Sequence, residues 1–244
     1  ERLADVMLVE QISSTVYRYV LRPLDIDTEL PVEFSYSAGQ YAELQIPGTE
    51  LTRAFSMASI ESDNNGQLEF MIRLIPEGEF SEHLKNSAEV GQRVNFKAPY
   101  GIFGLHKTER TRCFIAGSTG LAPLISILRE MKRSGDHTEA HLFFGMGDID
   151  AMFYEKELIV LEESMPNLSL HLSLMNPSAD WVYERGSSVD IFKKIVTDFK
   201  ESPDVYICGP GPMIDAALEV CDELNITHDQ IHHEKFVASG DEEI

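Results

Sequence analysis

The rhythm of the chain changes once, between residues 106 and 110, and that change limits the fold more than any other feature. Up to residue 105 apolar and polar residues alternate in short runs, most clearly in Val16-Tyr17-Arg18-Tyr19-Val20-Leu21, Tyr41-Ala42-Glu43-Leu44-Gln45-Ile46 and Leu68-Glu69-Phe70-Met71-Ile72-Arg73-Leu74. A period of two marks half-buried strands. Ala38-Gly39, Pro47-Gly48, Asn64-Asn65-Gly66 and Glu89-Val90-Gly91 are turn signals spaced as in an antiparallel β-barrel, with one short helix after Gly78. Beyond Thr111 the pattern becomes apolar strand, Gly-rich turn, amphipathic segment. Strands at Cys113 to Ala116, His141 to Phe144, Leu168 to Leu174 and Val205 to Cys208 alternate with helices at Leu121 to Lys132, Phe153 to Glu162, Val189 to Phe199 and Met213 to Leu224. That cycle predicts helices packed on a parallel sheet. The chain therefore divides into a β-barrel over residues 1–106 and an α/β parallel-sheet domain over residues 107–244, which suits its length of 244 residues.

Charge removes whole classes of partner. Twenty Lys and Arg face 41 Asp and Glu, a net charge of −21, whereas affinity for nucleic acid or an anionic membrane comes mainly from basic side chains. No apolar run approaches the roughly 20 residues of a membrane span, and no leader opens the chain, so a cytoplasmic protein is expected. The three cysteines, Cys113, Cys208 and Cys221, are odd in number and far apart, which fits a reducing compartment and neither a disulfide framework nor a metal site. His232 and His233 point apart on a strand beside Glu234, so no metal is expected there either. Cys113 and the methionines Met131, Met152 and Met213 read as packing residues. The first residue is Glu1 rather than Met, and a piece of a longer protein is expected.

Five local patterns have chemistry in them. Gly117-Ser118-Thr119-Gly120-Leu121-Ala122-Pro123 joins a strand to a helix; its glycines admit a close backbone approach and the helix start offers free N–H groups to a diphosphate. A plain strand-to-helix turn fits the same residues. Cys208-Gly209-Pro210-Gly211-Pro212-Met213 repeats the arrangement after a later strand, with Cys208 open to the simpler reading of a small buried residue. Arg53-Ala54-Phe55-Ser56 places Arg53 and Phe55 on one strand face and Ala54 and Ser56 on the other. Gly78-Glu79-Phe80-Ser81 reads as a helix start suited to phosphate, with Ser81 alternatively a cap. The loop Gly145-Met146-Gly147-Asp148-Ile149-Asp150 has acids and no Lys or Arg, which favours a ribose 2'-hydroxyl over a 2'-phosphate.

In this order the pieces resemble the ferredoxin-NADP reductase-like flavin reductases. Gly39-Gln40-Tyr41, Ile46-Pro47-Gly48-Thr49, Arg53-Ala54-Phe55-Ser56, Ile72-Arg73-Leu74-Ile75-Pro76-Glu77-Gly78, Tyr100-Gly101-Ile102-Phe103-Gly104-Leu105 and Glu234-Lys235-Phe236 are similar to the reductase components of soluble methane monooxygenase and related multicomponent monooxygenases. The resemblance implies a flavin barrel followed by a nicotinamide domain, with FAD and NADH as cofactors. It further implies that Arg53 pairs with the FAD diphosphate, that Phe55, where Tyr is usual, lies against the isoalloxazine, and that Ser56 approaches N5. Ala54, Ile72 and Arg73 would line the same site, and Gly78, Phe80 and Ser81 would cradle the diphosphate. Gly117, Ser118, Thr119, Gly120, Ala122 and Pro123 would take the NADH diphosphate, Gly145 and Asp148 the ribose, and Cys208, Gly209, Pro210 and Met213 the nicotinamide side. Phe236 would close over the flavin, making Ser56, Cys208 and Phe236 the catalytic set.

Such reductases pass electrons singly through an iron-sulfur ferredoxin domain to the hydroxylase component of an oxygenase. Four spaced cysteines are needed for that cluster, and these three do not supply them, so the ferredoxin is expected elsewhere in a full-length chain or on a separate protein. Methane monooxygenase is the first expected acceptor, and phenol hydroxylase or a cytochrome the nearer alternatives. A module that senses flavin or NADH without turnover is a reading of another class.

Overall fold

The computed structural model describes residues 2–62 and 66–235. The turn residues Asn64 and Asn65, Phe236 and the acidic segment Asp241-Glu242-Glu243 lie outside the described residues. Two compact units divide the chain: Glu1–Leu105 with Ile125–Glu130, and His106–Leu124 with Met131–Ile244.

In the first unit six strands, β1 (Arg2–Gln11), β2 (Val16–Leu24), β3 (Tyr41–Gln45), β4 (Thr52–Ser56), β5 (Leu68–Arg73) and β6 (Arg93–Tyr100), form one sheet in the order β4-β3-β6-β1-β2-β5. Every pairing is antiparallel. An antiparallel bridge from Met57, just past β4, to Phe70 in β5 joins the two edges and closes the barrel. Its interior is filled by alternate strand residues, among them Val6, Leu21, Leu44, Leu68 and Phe96. Each such side chain contributes about 1.5–3 kcal/mol by leaving water. At the turn before β3 Gly39 has φ +94, and a Cβ there would meet the Phe103 carbonyl at 2.6 Å, so only glycine lets the two segments touch. One buried carboxylate is fully partnered: Glu69 receives Arg18 Nε at 2.8 Å and Arg129 Nη1 at 2.9 Å. Helix α1 (Glu79–Asn86) buries Phe80, His83 and Leu84 on one face, and Glu79 and Glu82 in its first turn suit the positive end of the helix dipole.

The second unit contains β7 (Arg112–Gly117), α2 (Leu121–Ser134), β8 (Ala140–Met146), α3 (Glu155–Glu163), β9 (Leu168–Leu174), β10 (Glu184–Arg185), α4 (Ser188–Val196), β11 (Asp204–Gly209), α5 (Gly211–Glu223) and β12 (Ile231–Lys235). The strands run parallel in the order β10-β9-β8-β7-β11-β12. The chain moves outward from β7 through β8 and β9, then returns to place β11 on the other side of β7. Where strand order reverses in this way, the loops after the two central strands diverge and leave a crevice at their carboxyl ends. The sequence reading began α3 at Phe153; the helix starts at Glu155 because Tyr154, at φ 62, turns the chain through the left-handed region.

Candidate functional site

On β4 the side chains divide as alternation predicts. Arg53 and Phe55 stand opposite Leu44 and Ala42, which are fully buried, while Ala54 and Ser56 stand opposite Glu43 and Tyr41. The Phe55 ring meets Phe80 of α1 edge-on at 4.8 Å. Arg53 donates to the Thr52 carbonyl at 2.8 Å and lies 3.6 Å from Glu79, the first residue of α1. β4 and the start of α1, 26 residues apart in sequence, therefore form one feature: a guanidinium, an aromatic pair and a helix start. That start has no side-chain cap. Its first N–H groups are free for an acceptor, and the partial positive charge of the helix adds to that of Arg53. A Cβ on Gly78 would meet the Ile75 carbonyl at 3.1 Å and Ser81 Oγ at 3.3 Å, so the loop closes tightly there.

Ser81 is not a helix cap. Its Oγ accepts from the Ile75 N–H at 2.8 Å, which ties the loop to the helix and leaves the O–H and the backbone N–H as donors for a ligand. Ile72 is buried in the barrel core and offers only backbone, whereas Arg73 is exposed at the end of β5. Ser56 is buried.

At the carboxyl end of the parallel sheet, glycines let neighbouring elements interlock. A Cβ on Gly120 would lie 2.1 Å from the Cys208 carbonyl oxygen, and one on Gly117 would lie 2.5 Å from Met213 Sδ. Gly209, at φ +155, rests against the Gly117 backbone. The Gly117 turn and the Cys208 turn thus pack directly against each other. Helices α2 and α5 both start without a side-chain cap, at Gly120 and Pro210. Uncapped starts are not special in themselves, since α3 has one; α4 by contrast is closed by a Ser187–Asp190 capping box. Ala122 and Pro123 are buried in the first turn of α2, Ser118 takes φ 52, and Thr119 is nearly buried. Gly145, next to last in β8, lies against Ser173 Oγ and the Ser188 backbone, each near 3 Å from where its Cβ would be. Asp148 is exposed, and its carboxylate already accepts the Ala151 N–H at 3.1 Å.

Glu234 was missed as a site residue. It stands opposite Cys208 in the β11–β12 register, and its Oε2 is buried without a hydrogen-bond partner. Burial raises its carboxyl to about 7, so it exchanges a proton in the neutral range. The Cys208 thiol is pushed well up, first by its own burial and then by Glu234, and stays protonated. Cys113 and Cys221 are likewise fully buried and free. The signal for Glu234 was the Glu-Lys-Phe tripeptide; only the pairing of β12 with β11 reveals which group it faces. His232 stacks on His106 at 4.1 Å and lies beside Tyr206 at 4.7 Å, while His233 is exposed.

With this geometry in hand, comparison with known proteins assigns the class. Residues 4–104 match the model of the oxidoreductase FAD-binding domain and residues 114–219 that of the oxidoreductase NAD-binding domain. The chain belongs to the FAD- and NAD-binding flavoprotein oxidoreductases. It is 37% identical, over 78% of its length and 56% of the relative's, to methane monooxygenase component C of Methylosinus trichosporium. It is 31% identical to the propane 2-monooxygenase reductase component of Rhodococcus jostii, over 94% of this chain and 62% of that protein. Among solved structures, a cytochrome P450 reductase from Amycolatopsis superimposes with a TM-score of 0.84 at 26% identity, over 96% of this chain and 69% of that one. The chain spans only about three-fifths of the length of these two curated relatives.

The residues present fit both groups that the family models imply. A diphosphate suits the uncapped α1 start beside Arg53, where a Cβ at Gly78 would crowd the Ile75 carbonyl at 3.1 Å. The second suits the interlocked glycine turns, with the unpartnered Glu234 carboxyl close by. Among the described residues no helix is long and apolar enough to cross a membrane.

Proposed function

We propose that this chain is the flavin- and nicotinamide-binding part of an oxygenase reductase, with residues 1–106 holding FAD and residues 107–244 holding NADH. Bound together, the two cofactors supply hydride transfer from the nicotinamide to the flavin and release of the electrons one at a time. The residues supply position and charge. Arg53 and the N–H groups of Glu79 to Ser81 hold the FAD diphosphate, with Phe55 against the ring and Ser56 donating near N5, while the Gly78 N–H is already given to the Ile75 carbonyl at 3.0 Å. Gly117 to Pro123 hold the NADH diphosphate, Gly145 and Asp148 the ribose, and Cys208 to Met213 the nicotinamide side, where Glu234 holds or gives up a proton. An iron-sulfur ferredoxin domain accepts the electrons and passes them to the hydroxylase component of an oxygenase in the cytoplasm, methane monooxygenase being the first candidate because component C is 37% identical.

One observation carries the reading: a single chain has an arginine-flanked, uncapped helix start in its barrel unit and, in its parallel-sheet unit, two interlocked glycine turns beside a buried, unpartnered carboxyl oxygen. Purified protein should be yellow and should bleach when NADH is added without oxygen. Stable colour in excess NADH would instead identify a sensing module.

A further inference from the structure

We infer that Glu79 is a built-in competitor for the flavin diphosphate, holding Arg53 in the ligand's absence and limiting how tightly FAD binds. This rests on the proposed pairing of Arg53 with that diphosphate. Arg53 reaches Glu79 at 3.6 Å, and its other recorded contact is the carbonyl of its own neighbour Thr52. Glu79 is the first residue of α1, so its charge lies at the same helix start that would receive the phosphates. The pair is open to water, Glu79 being 69% exposed in its side chain and Arg53 30%, so it is weak enough to exchange partners.

The second acid of the first turn is placed differently. Glu82 is engaged by Lys85 at 3.4 Å and by Asn86 Nδ2 at 2.9 Å, on its own helix. A diphosphate arriving at α1 therefore meets one acid that is already occupied and one that occupies the cation it requires. Binding must first separate Arg53 from Glu79 and then leave an unneutralised carboxylate beside two phosphates. Both steps oppose FAD, and the second weakens as salt screens the charges. During release, Glu79 recaptures Arg53.

The test is a fluorescence titration of FAD into stripped protein, comparing the unaltered chain with Glu79→Gln, Glu82→Gln, Arg53→Ala and the double variant Arg53→Ala/Glu79→Gln. Glu79→Gln should tighten FAD by about 2- to 5-fold at low salt, the worth of an exposed ion pair, and by less at 1 M salt. Glu82→Gln should leave the affinity within error, and the gain from Glu79→Gln should shrink when Arg53 is absent. Unchanged or weaker FAD binding by Glu79→Gln, with Arg53→Ala still clearly impaired, would overturn the inference while leaving the flavin assignment standing. Arg53→Ala binding as tightly as the unaltered chain would remove the assignment of Arg53, and this inference with it. If stripped protein does not rebind FAD, the release rate from protein as purified decides: slower loss from Glu79→Gln supports the competition, and equal or faster loss overturns it.

Discussion

Arg53, Ser56 and Glu234 illustrate how a residue's environment determines its chemistry. Arg53 extends from a strand whose neighbours on that face are buried, and the start of α1 is the nearest feature that can use its charge. Its replacement by Ala should weaken FAD binding by about 10- to 100-fold, the loss of a charge-assisted contact, measured as flavin occupancy after dialysis. Ser56→Ala should retain flavin and slow its reduction by NADH about tenfold in stopped-flow absorbance, as expected for one lost hydrogen bond. An unchanged rate would remove Ser56 from the reaction. Glu234 is held up to about 7 by burial, so the rate of flavin reduction should inflect near that pH. Glu234→Gln should flatten the profile between about pH 6 and 8.

Among the elements, the glycine turns after β7 and β11 have least freedom to vary. Gly120→Ala would drive a Cβ into the Cys208 carbonyl and the Gly209 nitrogen, both backbone, so the turns must part. A cost of about 1–3 kcal/mol is expected in urea unfolding, together with a higher KM for NADH. These turns were readable in sequence because a local pattern, strand then glycines then helix, is all they require. β12 was readable as a strand at His232 and His233 but its pairing was not, because Ile-His-His-Glu-Lys is a polar strand whose partner among the described residues is β11. The same physics hid Glu234, which owes its burial and its register to a neighbouring strand rather than to any spacing along the chain. The Arg53–Glu79 pair joins a strand to a helix with β5 between them in sequence, and no periodicity reports that. The barrel was readable in outline because β2, β3 and β5 alternate clearly, whereas the strand order, with β6 between β3 and β1, comes from pairing that composition does not encode.

At the scale of the whole molecule, a buried histidine pair couples folding to acid. In the parallel-sheet unit His141 Nδ1 lies 3.1 Å from His171 Nε2, with Phe143 stacked on His171 and Glu139 3.6 Å from His141. Burial, and then the neighbouring His141, hold His171 down to about 4. Between about pH 6.5 and 4 the unfolded chain therefore takes up a proton that the folded one refuses, and stability falls as pH drops through that window. Circular dichroism melts should show this loss, and His171→Gln should reduce its slope. The three cysteines have a different use. All are sealed from water, and burial keeps each thiol protonated. Iodoacetamide can alkylate them only when the surrounding structure opens, so the rate of carbamidomethylation at Cys113 in β7, Cys208 in β11 and Cys221 in α5 is a clock for breathing of the parallel-sheet half. A nucleotide that bridges the two glycine turns should slow that clock at Cys208 first.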